Sequence, residues 1–330
     1  MDMEQDHNHG QNEPHEIEHI EPHLQPLAFF LYAPVDTFFP EKKRLPIIFM
    51  KKSYPSAVLI CVLTTILACK ASNALEEKQF TSMVLHPAHA VDMLNINNKT
   101  EVDCASVATQ KPFVLLGVGQ SLMANSNGDP EWSKVSYKRV YEQWAGKCYE
   151  ANSPLFGAGD GAKSFMLPMA NLIARGKNRA VLINMAAVGG MSSKFFTPGN
   201  PGADLIVYQI ENLTKLGLKP DAVLFQQGQA DVALGTPAEE YFANYSAIFR
   251  NLKAHGVAAP NFVAVDTMVT WATYPKTAEI QRRIALMPNA IPGPNIDLIT
   301  YRKDGTHLDN AGVELQAAMW FQALAAYFGW

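Results

Sequence analysis

From Pro112 to the C-terminus, short apolar runs alternate with longer segments whose apolar residues recur every three or four positions. The runs are Phe113 to Gly117, Ala180 to Met185, Ala222 to Phe225, Phe262 to Val265 and Ile296 to Ile299. Each is short and mostly apolar, which predicts a strand buried on both faces. Between them, Asp204 to Leu216 places Leu205, Tyr208, Leu213 and Leu216 near one helical face. Ala238 to Ala254 does the same with Tyr241, Tyr245, Ile248 and Leu252. Ala311 to Phe328 lacks Pro throughout and has Asp309 or Asn310 available as N-cap. Alternating strands and helices predict an α/β fold, a mostly parallel five-stranded sheet between two helical layers. In such sheets ligands bind beyond the carboxyl ends of the strands.

Residues 75–110 are mixed and polar and read as a lead-in to a domain spanning 111–330. Upstream, Met50-Lys51-Lys52 precedes an apolar run from Ala57 to Ala68 and a small-residue stretch from Ala68 to Ala74. Basic start, apolar middle and small-residue end, in that order, predict a secretory signal over residues 50–74. Two cleavage readings stand open. Ile66-Leu67-Ala68-Cys69 resembles a bacterial lipobox that would lipidate Cys69 and anchor the protein to a membrane, while Ser72-Asn73-Ala74 suits an ordinary signal peptidase. Either reading predicts export to a bacterial periplasm or cell envelope.

Composition then refines the picture. The chain is 48% hydrophobic and 18% charged, which excludes a disordered polyelectrolyte and a coiled coil. With 27 Lys and Arg against 31 Asp and Glu it carries a net charge of −4, and nothing suits it to neutralising nucleic-acid phosphates. The negative excess lies in residues 1–49, a leader with the character of a gene-model extension upstream of Met50. Its histidines, His7, His9, His15, His19 and His23, lack the tight spacing of a structural zinc site. Past the signal two cysteines remain, Cys104 and Cys148. In an oxidising compartment they can pair; otherwise they are two free thiols.

The candidate chemistry sits after the strands. Ser121 lies in Gly117-Val118-Gly119-Gln120-Ser121-Leu122-Met123, at the end of the first. Met123 stands where a G-x-S-x-G elbow needs glycine, so the α/β-hydrolase arrangement is disfavoured, and Ser121 reads as a turn residue or a nucleophile. His307 lies three residues after Asp304, directly before the last helix, and a carboxylate so close can orient an imidazole. Gly189-Gly190 follows the second strand and offers backbone N–H groups, or is a plain turn. Gln227, after the third, offers a side-chain amide. An ester hydrolase needs such oxyanion donors.

These blocks, in this order, resemble the SGNH hydrolases, and most closely their sialate O-acetylesterase and carbohydrate-esterase (acetylxylan-esterase-like) branch. The first block typically reads Gly-Gln-Ser-Asn-Met and here reads Gly119-Gln120-Ser121-Leu122-Met123. The Trp-His-Gln-Gly-Glu-x-Asp block appears as Phe225-Gln226-Gln227-Gly228-Gln229-Ala230-Asp231, and the Asp-Gly-x-His block is intact from Asp304 to His307. Pro154 to Ala158, with Gly161 and Ser164, is also similar to members of this branch. The resemblance implies a flavodoxin-like fold and a cofactor-free, metal-independent serine esterase. It casts Ser121 as nucleophile, His307 as base and Asp304 as its partner. Ser121, Gly189, Gly190 and Gln227 become the oxyanion hole, and Gln120, Gln229 and Asp231 substrate contacts. The implied substrate is an O-acetylated carbohydrate. Leu122, Gln226 and Gln229 depart from the usual Asn, His and Glu, which motivates a rival reading as a non-catalytic glycan-binding protein. A lipid or thioester hydrolase of the same superfamily is the enzymatic alternative.

Overall fold

The computed structural model describes residues 99–129 and 137–330. The leader, the export signal and Cys69 lie outside the described residues.

Among the described residues, eight strands form one sheet, three more than the apolar runs suggest. In chain order they are β1 (Glu101–Val102), β2 (Phe113–Gly119), β3 (Val140–Trp144), β4 (Lys147–Glu150), β5 (Val181–Ala187), β6 (Ala222–Gln226), β7 (Asn261–Val265) and β8 (Ala290–Asn295). The spatial order is β1-β4-β3-β5-β2-β6-β7-β8. All neighbours from β3 to β8 pair parallel, while β4 pairs antiparallel with β3 and β1. β2 is central and buried along its whole length, which is why its sequence is a continuous apolar run.

Seven α-helices accompany these strands: α1 (Cys104–Thr109), α2 (Met166–Lys177), α3 (Pro201–Lys215), α4 (Gln229–Leu234), α5 (Ala238–Ala254), α6 (Pro275–Ile284) and α7 (Asn310–Phe328). Side chains of β2 alternate between two cores. Phe113 and Leu115 pack with Ile173 of α2 and Val313, Trp320 and Leu324 of α7. Leu116 and Val118 pack with Ile206 of α3, Tyr245 and Ile248 of α5 and Ile284 of α6. The result is the three-layer α/β/α sandwich expected from the pattern.

Two sequence expectations change. The last strand is Ala290–Asn295, not Ile296 to Ile299, which contains a 3-10 turn. Two prolines and a glycine hide this strand, and it can hold them because it is the sheet edge. Residues 99–110, read as lead-in, belong to the domain. β1 pairs with β4, and Cys104 of α1 is disulfide-bonded to Cys148 of β4. The Lys99 ammonium is buried in an ion pair with Glu142 of β3 and donates to the carbonyls of Asn152 (2.6 Å) and Pro154 (2.7 Å). Glu142 in turn accepts the N–H of Phe156 at 2.8 Å. This clamp fixes the segment from Asn152 to Phe156, which supports the site.

Candidate active site

The loops after β2, β5, β6 and β7 all leave the sheet at its carboxyl edge, and the turn before α7 joins them there. β2 ends in Gly119, whose missing Cβ would stand 2.0 Å from the Gln226 carbonyl oxygen of β6. Only glycine lets the strands approach this closely, and the next N–H, of Gln120, donates to that same oxygen at 3.1 Å. The chain then turns and presents Ser121. Leu122 is fully buried in the core shared with α7.

The resembling segment around Pro154 to Ala158 braces this turn. Asn125 Nδ2 donates to the carbonyls of Leu155 (2.8 Å) and Ala158 (3.1 Å), and its Oδ1 accepts the Leu155 N–H at 2.9 Å. Ser164 Oγ donates to the Met123 carbonyl at 2.8 Å.

Asp304 and His307 meet directly. His307 Nδ1 lies 2.7 Å from Asp304 Oδ2, while Asp304 Oδ1 accepts the N–H groups of Thr306 (2.8 Å) and His307 (2.6 Å). Partial burial pushes the Asp304 carboxyl up, but the His307 side chain and the two N–H donors outweigh this and hold it below the usual carboxylate range. With Nδ1–H pointing at the carboxylate, Nε2 is the free base position.

Asn127 connects the two halves. Its Nδ2 donates to the carbonyl of Leu122 at 3.2 Å, with the Ser121 carbonyl at 3.5 Å, and its Oδ1 accepts the Leu308 N–H at 3.2 Å. The carbonyl of Leu308 also accepts the Gly128 N–H at 2.9 Å. Among the described residues, Ser121 Oγ and His307 form no hydrogen bond with each other.

Gly189 lies against the serine: a Cβ built on it would stand 3.8 Å from Ser121 Cβ. Among the described residues, the N–H groups of Ser121, Gly189 and Gly190 donate to no protein acceptor. Gly190 is more open, with nothing within 4 Å of the position its Cβ would take.

The remaining expected site residues are placed differently. Gln227 Nε2 is committed to Gln120 Oε1 (3.1 Å), the Met191 carbonyl (2.9 Å) and Asp231 Oδ2 (2.9 Å), so its amide hydrogens face inward and not towards an oxyanion. Gln120, Gln229 and Asp231, substrate contacts by resemblance, are each only 2% exposed. Gln120 Nε2 donates to Gln229 Oε1 (2.9 Å), and Gln229 Nε2 to the Met268 carbonyl (2.6 Å). Asp231 accepts Ser193 N–H (2.8 Å) and Oγ–H (2.7 Å). Burial raises the Asp231 carboxyl, against the lowering effect of its donors Gln227 and Ser193. These buried side chains hold the loops together through the hydrogen bonds they make to one another and to the backbone. Gln226 is likewise used inward, its Oε1 accepting from Gln316 Nε2 (2.7 Å) and Trp320 Nε1 (3.0 Å).

Sequence reasoning missed Asn127, whose role depends on contacts across the fold. It also missed Asp160. The Asp160 carboxylate accepts from Ser126 Oγ and lies 3.2 Å from the position a Gly189 Cβ would take. The only local signal was a polar residue among glycines in a block that resembled the family.

No protein-family model and no curated protein sequence matches this chain. Solved structures do. An Arabidopsis thaliana protein superposes with a TM-score of 0.57 at 21% identity, covering 66% of this chain and 99% of that one. A carbohydrate acetylesterase from Xanthomonas citri reaches 0.49 at 14% identity, over 66% of this chain and 56% of that one. A carbohydrate acetylesterase family member from Sinorhizobium meliloti reaches 0.44 at 13% identity, over 66% and 99%. The likeness to the Arabidopsis protein establishes a shared fold.

Proposed function

We propose that this chain is an exported serine esterase that removes O-acetyl groups from a carbohydrate. The observation that carries the reading is the Asp304–His307 hydrogen bond of 2.7 Å, tied through Asn127 to the turn that presents Ser121. Ser121 Oγ attacks the acetyl carbonyl as His307 Nε2 takes its proton, and Asp304 stabilises the imidazolium. The tetrahedral oxyanion accepts hydrogen bonds from the N–H groups of Ser121 and of Gly189 or Gly190. Collapse expels the sugar oxygen, which takes the proton from His307, and leaves an acetyl-enzyme. Water, deprotonated by His307, then attacks the acetyl group; acetate leaves and Ser121 regains its proton.

The oxyanion hole proposed here is made of backbone donors. Gln227 supports it from behind, by gripping the Met191 carbonyl of the loop that carries Gly189 and Gly190. Gln226 and Gln229 are turned into the interior, where Gln226 Oε1 and both ends of the Gln229 amide find partners, so their departure from the family pattern leaves Asp304 and His307 untouched.

Acetate release by the full-length protein from acetylated oligosaccharides and from 4-nitrophenyl acetate tests the reading. Wild type should turn over and Ser121→Ala should not. Equal rates would remove Ser121 from the mechanism. Labelling of Ser121 by a fluorophosphonate separates this enzyme from a glycan-binding protein on the same scaffold, which would bind sugar without reacting.

A further inference from the structure

The loop after β7 carries an aromatic side chain that the mechanism does not use. Trp271 is 61% exposed, and its indole lies against the turn that holds His307. A Cβ placed on Gly305 would fall 2.5 Å from Trp271 Cδ1, so the ring covers the backbone between Asp304 and His307. The backbone N–H of Trp271 donates to the Gly305 carbonyl at 2.9 Å, and that of Thr270 to Thr306 Oγ1 at 3.0 Å.

Holding the ring there requires unusual backbone. Thr270 and Trp271 both adopt positive φ, 48° and 66°, in a tight turn closed by mutual hydrogen bonds between Val269 and Ala272. A β-branched residue and a bulky one in succession in the left-handed region are strained, and such strain concentrates at ligand sites. The loop is also anchored on both sides. The Met268 carbonyl accepts from Gln229, and the N–H groups of Thr267 and Met268 donate to Asp297 Oδ1 at 2.7 and 2.9 Å. A rigid, exposed indole at the rim of a hydrolytic site is not needed to cover one glycine.

We infer that Trp271 is the platform on which the sugar ring bearing the acetyl group stacks, and that the sugar is a neutral pyranose. The inference rests on the esterase reading for what the sugar carries. A pyranose offers an apolar face of C–H groups flanked by hydroxyls, and a flat aromatic surface removes that face from water while the hydroxyls stay hydrated. The carboxylates of the rim favour neutrality, and the Lys303 ammonium on the same turn is directed to the Gly128 carbonyl at 3.3 Å. The Asp160 carboxylate lies within 4 Å of the same point above Gly189 as Ser121 Cβ, and the Asp304 carboxylate lies beyond His307. An acidic sugar such as a sialic acid would bring its own carboxylate against them.

Calorimetric titration of the full-length protein with xylohexaose and with a sialic-acid trimer tests this without requiring turnover. Xylohexaose should bind wild type, bind Trp271→Ala about tenfold more weakly, and bind Trp271→Phe within about threefold of wild type, because phenylalanine keeps a stacking face. The trimer should bind wild type at least about tenfold more weakly than xylohexaose. No xylohexaose binding to wild type, equal binding to Trp271→Ala, or a trimer that binds as well as xylohexaose would overturn the proposal. Binding as expected without acetate release from any ester would instead remove the esterase reading and leave the platform standing.

Discussion

Asn127 Oδ1 accepts the backbone N–H of Leu308, the residue after His307, at 3.2 Å. The same side chain donates to the carbonyl of Leu122, the residue after Ser121. One amide thus fixes the spacing between the turn that carries Ser121 and the turn that carries His307.

Asn127→Ala should therefore lower kcat by about 10- to 100-fold, because a small misplacement of reacting groups costs that much. The KM should change far less, since Asn127 is buried and touches no substrate. Steady-state kinetics on 4-nitrophenyl acetate decides it; a large rise in KM with kcat intact would mean that Asn127 shapes binding instead.

Asp304→Asn keeps an oxygen for the N–H groups of Thr306 and His307 but removes the anion facing Nδ1. The imidazole then loses its preferred tautomer, and kcat should fall about 10²- to 10⁴-fold with little change in KM. Circular dichroism should show an unchanged fold. Full activity in this variant would take Asp304 out of the mechanism.

Asp266, directly after β7, is a fully buried acid with a different consequence. Burial first, and the neighbouring Asp297 carboxylate second, push its pKa up to about 7, against the pull of Arg302. Gln226 approaches and also lowers it, but neither carboxyl oxygen closes a hydrogen bond. Its folded pKa lies above its unfolded one, so the folded state holds the proton more tightly. Stability from this group is fully present below the ordinary carboxylate range and is lost as pH rises towards 7. Each tenfold difference in proton affinity between folded and unfolded chain is worth about 1.4 kcal/mol. Denaturation by urea between pH 4 and pH 8 should show a shallower loss with rising pH in Asp266→Asn than in wild type. Identical slopes would mean that Asp266 is ionised in the folded protein at neutral pH.

Lys99 and Glu142 form an ion pair with side chains 1% and 2% exposed. Burial drives both towards neutrality, lowering the lysine and raising the glutamate, while their mutual attraction opposes this. Lys99→Met leaves Glu142 buried without its cation and should cost about 3–5 kcal/mol. Lys99→Met combined with Glu142→Gln should cost less than the sum of the two single changes, as contacting residues do. Additivity in chemical denaturation would show that the pair is not coupled.

The sequence by itself determined the strands that are buried on both faces. Phe113 to Gly119 can be recognised locally because a central parallel strand needs apolar residues on both sides. It also displayed Ser121, Asp304 and His307, since a strand-end serine and a carboxylate three residues before a histidine are short-range patterns. What only the tertiary structure decided concerns residues whose environment is made by distant chain. Ala290–Asn295 becomes a strand despite Pro292 and Pro294 because it lies at the sheet edge. Gln120, Gln227, Gln229 and Asp231 look like ligand-binding polar residues in sequence, yet they are each other's partners in the fold. A polar side chain states which hydrogen bonds it can make; whether protein or substrate receives them depends on burial, which is a property of the packed molecule.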